Sequence, residues 1–329
     1  MTPKRIFLTG SSGCVGHYLA EALIQETPHE LFLLVRTPDK LKVDCTVRPG
    51  IHLLQGDLRH IQQFADLLKT IEVAVLAATT WGGPQEVYDI NVIKTQQLIG
   101  LLNPQVCEQI IYFSTASILD RNNQLLKQAG EIGTDYIRSK YVCYQQLSKL
   151  ELADRLTTVF PTLVFGGDGR KPYSHLSAGL PDVTRWIGLA RFLSAEGSFH
   201  FIHAYDIAQV VSYLVDHPAQ DHRPRKLVLG NPLITVDRAV EEICAYFNQR
   251  IYFRIPVTRW LMELLIVVFR IQVSAWDRFF LDYRHDTHQD PVTPSTLGRT
   301  TRYPTLAHLL KERGLQPDNT IAKLRSSQS

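Results

Sequence analysis

The chain has 329 residues, 45% of them hydrophobic and 20% charged, the make-up of an ordinary globular protein with length for roughly two packed units. Lys and Arg number 35 against 32 Asp and Glu, so the formal net charge is +3, and without a basic cluster this argues against nucleic acid as the partner. Five scattered cysteines (Cys14, Cys45, Cys107, Cys143 and Cys244) contain no Cys-x-x-Cys pair, so neither a disulfide framework nor a metal site is indicated and reducing, cytoplasmic surroundings are expected.

The N-terminus runs at once into an apolar strand pattern and reads as structural rather than as a signal peptide. Ile6 to Thr9, Leu31 to Val35, Ile51 to Gln55, Val73 to Ala77, Ile110 to Ser114 and Thr157 to Val164 are near-continuous apolar runs, the pattern of strands covered on both faces. Between them, Val15 to Glu26, Leu58 to Lys69, Gln85 to Leu102 and Asp135 to Ala153 are long enough to be crossover helices. This alternation predicts an α/β fold, a doubly wound parallel sheet with a Rossmann core over residues 1–165. From Gly166 the sequence turns rich in Gly and Pro, so a smaller, mostly C-terminal substrate-binding region is expected over 166–329. Strands at Phe199 to Ile202 and Lys226 to Leu229, with a helix from Tyr205 to Val215, are expected to return to the core. A further helix is expected from Val236 to Phe247.

The first strand ends in Thr9-Gly10-Ser11-Ser12-Gly13-Cys14-Val15-Gly16. Glycines in this place let a backbone approach a pyrophosphate, and the helix that follows offers free N–H groups to it. Cys14 reads as a small residue facing the sheet. The second strand ends with Arg36, where NAD-binding chains usually carry an acid for the ribose hydroxyls. Arg36 and Lys40 suit a 2′-phosphate, which favours NADP with NAD as the lesser option; the alternative is that Arg36 caps an exposed strand end. Asp57 is placed either to accept from an adenine amino group or to cap the next helix. Tyr136 and Lys140 lie four residues apart on one helix face, where an adjacent cation would stabilise a phenolate. The fifth strand delivers Ser114, Thr115 and Ser117 to its C-terminal end, as hydroxyls for a substrate oxygen or as local turn caps.

Together these motifs resemble the extended short-chain dehydrogenase/reductase superfamily, the NAD(P)-dependent epimerase/dehydratase-like proteins. Gly10 to Gly16 is similar to that branch's TGxxGxxG, Asp57-Leu58 to its adenine-side DL, and Tyr136 with Lys140 to its YxxxK. The resemblance implies that Ala77, Ala78 and Thr79 line the nicotinamide-side ribose and that Asn91 belongs to an NVxGT segment. It implies further that Pro161, Thr162 and Val164 face the nicotinamide end, where Phe160 replaces the usual Arg. His203 and Asp206 fall in an FIHVDDVA-like segment with a structural role. Thr115 takes the place of the catalytic hydroxyl, with Ser114 as fallback. The cofactor set so implied is Gly10, Ser12, Gly13, Cys14, Val15, Gly16, Arg36, Lys40, Asp57, Leu58, Ala77, Ala78, Thr79, Asn91, Tyr136, Lys140, Pro161, Thr162 and Val164.

Leu119-Asp120 stands where the family has Tyr-Gly, and the stretch to Asp135 lacks the usual sugar-nucleotide pattern. The expected activity is therefore hydride transfer between NADP and the carbonyl or alcohol of a fairly apolar small molecule. In this scheme Tyr136 moves the proton, Lys140 lowers its pKa and Thr115 binds the reacting oxygen. A nucleotide-sugar epimerase or dehydratase using the same triad and a non-catalytic dinucleotide-binding scaffold are the alternatives. A homodimer is a further option. Residues 256–280 carry Trp260, Leu261, Leu264, Leu265, Val268, Phe269 and Trp276 beside arginines, and read as a packed helix, a lid over the pocket or a peripheral membrane contact.

Overall fold

The computed structural model describes residues 2–219, 221, 223–261 and 273–317. Strands β1 (Arg5–Thr9), β2 (Glu30–Val35), β3 (Ile51–Gln55), β4 (Val73–Leu76), β5 (Gln109–Phe113) and β6 (Leu156–Pro161) form one sheet with the strand Arg225–Leu229, in the order Arg225–Leu229, β6, β5, β4, β1, β2, β3. Every neighbouring pair is parallel. Ile6, Phe7, Leu8, Leu31, Leu33, Val73, Ala74, Val75, Ile110 and Ile111 have no exposed surface, as strands covered on both faces require. Chain order reverses between β1 and β4, and a crevice opens at such a switch point beyond the carboxyl ends of the strands.

One face is covered by helix α1 (Cys14–Glu26) and by the helix Ala204–Asp216. Leu19 and Leu23 of the first and Ile207, Val211 and Leu214 of the second share one apolar cluster with the sheet. The opposite face is closed by Leu68, Leu98, Ile99, Cys143 and Leu147 against Phe7, Phe32 and Tyr112.

Several elements depart from the sequence-based boundaries for identifiable reasons. The expected strand Thr157 to Val164 is two strands, because the chain leaves the sheet after Pro161; Thr162 bonds to Leu229 and Leu163–Phe165 pairs instead with Phe201–His203. The expected helix Leu58 to Lys69 is a 3₁₀ segment, Leu58–Phe64, followed by a short α-turn. Between Pro84 and Ile99 the helix contains a π-turn over Asp89–Lys94. The helix expected to reach Ala153 ends at Leu147, where Ser148 bonds back to Gln145 and competes with helix continuation.

Beyond Gly166 the structure is a set of short pieces. The helices His175–Arg185, Val236–Tyr246 and Leu306–Glu312 contribute Leu180, Ile243, Leu306, Leu309 and Leu310 to a separate cluster with Phe165 and Phe201. Of the stripe over residues 256–280, Leu264, Leu265, Val268 and Phe269 lie outside the described residues. Trp276 is buried, as the packed-helix reading expects and the membrane-contact reading does not, on a helix started by a Ser274 capping box, against Phe279, Phe280 and the side of β6. Among the described residues no helix is long and apolar enough to cross a membrane.

Candidate active site

A cleft of about 810 Å³ runs along the carboxyl ends of β1, β2, β4 and β5, in the upper part of the range of roughly 300 to 1,000 Å³ usual for ligand sites. At its centre lies the glycine loop. Gly10 has φ +77, and a Cβ there would sit 2.7 Å from the Ala78 nitrogen; a Cβ on Gly16 would sit 1.9 Å from the Gly10 carbonyl oxygen. The loop therefore closes only without side chains. Gly13 caps α1 without a side-chain hydrogen bond, so the first turn presents uncapped N–H groups along the wall formed by Gly13, Cys14, Val15 and Gly16. That is an anion site by geometry. Burial pushes the Cys14 thiol up to about 12, so this cysteine is inert.

At one end of the cleft, Arg36 and Lys40 are exposed side chains on its wall. The turn that carries Lys40 is tied to α1 by His17, which is fully buried. Its Nδ1 lies 2.8 Å from the Gly13 carbonyl, and its Nε2 lies 3.1 Å from both the Lys40 carbonyl and the Lys42 N–H. Sequence reasoning missed His17, and a histidine inside an apolar helix four residues after a loop glycine is the signal that points to it. Asp57 and Leu58 share this wall, but the carboxylate of Asp57 is already engaged. It accepts from the Arg59 backbone at 2.8 Å and pairs with the Arg59 guanidinium at 2.8 Å. Hydrogen bonding from Arg59 holds its pKa below the usual carboxylate value. Of the two expected roles, the helix cap is the one formed here, and adenine recognition would share Asp57 with Arg59.

At the other end, Ala77, Ala78 and Thr79 line the cleft, while Asn91 does not reach its surface. Asn91 is fully buried on the π-turn. Its amide oxygen accepts from Thr79 Oγ1 at 3.1 Å and Thr80 N–H at 3.0 Å, and its amide nitrogen donates to Ser139 Oγ at 3.0 Å. Ser139 in turn donates to the Tyr136 carbonyl at 2.7 Å. The expected cofactor contact is thus a staple that fixes the loop after β4 to the helix Asp135–Leu147; π-turns recur where a helix must present such a group.

Thr115, Tyr136 and Lys140 all line this end. Thr115 lies near Tyr136 on this wall; its Oγ1 donates to Ser117 Oγ at 3.3 Å and caps the short 3₁₀ turn Ala116–Ile118. Lys140 is 2% exposed and donates to the Phe113 carbonyl at 2.8 Å. Burial lowers its pKa to about 8. Burial raises the Tyr136 pKa above the ordinary phenol value. The Lys140 ammonium sits 5.9 Å from the Tyr136 ring centre and 5.1 Å from that of Tyr112. Pro161, Thr162 and Val164 complete the wall. Ser114 Oγ is buried on the same wall and has no hydrogen-bond partner, an unmet donor and acceptor of the kind a bound polar group satisfies.

Ser117, one of the expected hydroxyls, lines the reaction end too, and sequence reasoning passed over Trp81, Tyr173, His175 and Leu176 beside it. Trp81 stacks on Tyr136 with ring centres 3.8 Å apart and planes 18° apart. A lone Trp between Thr80 and Gly82 at the end of a parallel strand is the signal that would have found it.

The glycine loop at the switch point, the Tyr136–Lys140 pair and the Thr115 hydroxyl define a dinucleotide-binding protein of the extended short-chain dehydrogenase/reductase superfamily. The pattern of the NAD dependent epimerase/dehydratase family matches residues 6–230, more than half of the chain, and the chain belongs to that family of NAD-dependent oxidoreductases and epimerases. It is 22% identical over 346 residues to short-chain dehydrogenase/reductase family 42E member 1 of Xenopus laevis, across 95% of this chain and 85% of that protein. Among solved structures it is similar to the terminal R domain from the myxalamid PKS-NRPS biosynthetic pathway, with a TM-score of 0.65, 17% identity, and 95% and 90% of the two chains covered. It is similar also to a dTDP-glucose 4,6-dehydratase from Bacillus anthracis in complex with NAD, with a TM-score of 0.58, 13% identity, and 96% and 92% covered. At these identities the structural likeness concerns the fold.

Proposed function

We propose that this protein is an NADP-dependent oxidoreductase that exchanges a hydride with the carbonyl or alcohol of a fairly apolar small molecule. The observation that carries this reading is the convergence of Thr115, Tyr136 and Lys140 at one end of a cleft whose other end is lined by Arg36 and Lys40.

The residues present fit a dinucleotide: the glycine loop packs backbone against backbone with no Cβ at Gly10 or Gly16, and the helix N-terminus offers uncapped donors to a pyrophosphate. Arg36 and Lys40 supply charge-assisted donors to a 2′-phosphate. Lys140 has three N–H donors, one given to the Phe113 carbonyl, which leaves two for the hydroxyls of the nicotinamide ribose. The cofactor supplies or accepts the hydride. The Tyr136 phenol is protonated at neutral pH, as an ordinary phenol is, and in the reductive direction is set to donate its proton to a carbonyl oxygen. Thr115, near it on the wall of the cleft, offers its hydroxyl to the same oxygen.

Calorimetric dissociation constants for NADPH and NADH test the cofactor assignment. NADPH is expected to bind about ten- to a hundredfold more tightly, and Arg36→Asp should erase the difference. Equal constants in the unmutated protein overturn NADP. NADPH consumption is then followed with aldehydes, ketones and nucleotide sugars: turnover of apolar carbonyls supports the reductase, and interconversion of nucleotide sugars without net cofactor use supports an epimerase. Tight NADPH binding with no turnover of any of them supports a scaffold.

A further inference from the structure

We infer that Trp81 is the specificity-determining residue of the reaction end and that it selects substrates carrying a flat, apolar ring system. The inference rests on the proposed reductase reading and narrows its substrate class.

Trp81 is 57% exposed although it lines a cleft. An indole left this open at the rim of a ligand site is apolar surface awaiting a partner. The loop carrying it is held in place rather than free, since Asn91 binds both Thr79 and Thr80 just before it, and Asn91 is itself anchored to the helix of Tyr136 through Ser139. The staple therefore fixes the indole relative to the phenol that moves the proton. One indole face lies parallel to the Tyr136 ring at 3.8 Å, and the His175 ring meets the indole nearly edge-on, 5.1 Å away at 65°. Leu176, 38% exposed, follows on the same wall.

The arrangement is a row of parallel and perpendicular rings ending at Tyr136, with Thr115 on the same wall. An offset ring placed against it extends the stack, and an aromatic pair contributes beyond its buried area. A carbonyl on the ring's edge is then carried towards the phenol hydroxyl in a restricted orientation, which is how a positioning contact raises rate. An open chain of similar hydrophobicity gains the area but neither the stack nor the orientation.

The test is binding of 2-naphthaldehyde and octanal to the NADP⁺-loaded protein, where no reduction occurs, measured by calorimetry for the wild type, Trp81→Phe and Trp81→Ala. The wild type is expected to bind the naphthyl probe at least about tenfold more tightly than octanal. Trp81→Ala should lose about tenfold for the naphthyl probe and less than about threefold for octanal, while Trp81→Phe keeps most of the preference. NADP⁺ affinity serves as the folding control in each variant. An unchanged ring-to-chain ratio in Trp81→Ala overturns the inference, as does a wild type that binds neither aldehyde or binds both equally. Tyr136→Phe separates this outcome from the underlying reading: it should abolish turnover and leave the ring preference intact. If it keeps wild-type turnover, the catalytic assignment fails while the Trp81 result stands on its own.

Discussion

The two halves of the molecule are held in place by different means. Up to Pro161, most pieces of the cleft sit just beyond the end of a parallel strand whose backbone ladder sets their position, and Tyr136 and Lys140 come from the helix Asp135–Leu147 packed beside it. Gly10 follows β1, Arg36 follows β2, Thr79 follows β4 and Thr115 follows β5. From Gly166 onward the strands are two or three residues long apart from Arg225–Leu229, and side chains from remote segments do the fixing. His203 Nε2 lies 2.6 Å from Glu312, Tyr303 donates to the same carboxylate at 2.7 Å, and Asp206 accepts from the backbones of Arg302 and Tyr303 at 2.8 and 3.0 Å. A site built on ladders is fixed by local sequence rules. A wall built by such ties depends on partners about a hundred residues away, so it can diverge while the hydride-transfer end stays put.

Two substitutions probe this division. The larger effect is expected from Gly16→Val in the ladder-built half: a Cβ there meets the Gly10 carbonyl at 1.9 Å, so backbone must move. Overpacking of this kind costs at least about 3 kcal/mol, and the variant should unfold at markedly lower temperature and lose NADPH binding. A folded Gly16→Val protein with wild-type NADPH affinity would show that the cradle is not the pyrophosphate site. Next comes Leu309→Ala. Leu309 is 3% exposed in the cluster formed with Leu180 and Ile243, and its truncation should cost about 2 to 5 kcal/mol in urea denaturation. NADPH affinity at low temperature should change less than about twofold. A proportionate loss of NADPH affinity would break the comparison, because it would mean that the C-terminal cluster also shapes the cofactor end.

What the sequence makes legible follows the same line. The apolar runs place the six strands to within a residue at most ends because parallel strands buried on both faces are apolar throughout; Ile51 to Gln55, expected to be covered on both faces, is instead a partly exposed edge strand. The exception in placement is Thr157 to Val164, where Pro161 ends the ladder inside an unbroken apolar run. The glycine loop and the Tyr136–Lys140 spacing are visible because sterics and helix geometry demand them locally. Asn91 is legible as a motif but not as a staple, since its partners Thr80 and Ser139 lie 11 and 48 positions away. The engagement of Asp57 by Arg59 is two residues long and was open to reading. Trp81 is hidden for a different reason: its meaning comes from Tyr136, 55 positions on, and no period links them. The tie of Trp276 to the side of β6 is hidden in the same way, so the apolar stripe by itself left packed helix, lid and membrane contact open.

The smallest expected effect concerns the one buried ammonium of the site. Lys140 titrates near pH 8 in the folded protein against 10.5 for an ordinary lysine, so between those values the unfolded chain binds one more proton than the folded one. Stability should therefore rise with pH across that window as the cost of burying the charge is relieved; below pH 8 both states are protonated and the cost is present in full. Tyr136 acts in the opposite sense only above about pH 10, where an unfolded phenol ionises and the buried one, with its raised pKa, does not. Urea denaturation at pH 7.5 and 9.5 isolates the lysine when wild type is compared with Lys140→Met, since the other groups titrate alike in both. The wild type should gain about 1 to 2 kcal/mol relative to the variant over that interval. A difference that stays constant would mean that Lys140 is already solvated through the cleft and carries no desolvation cost.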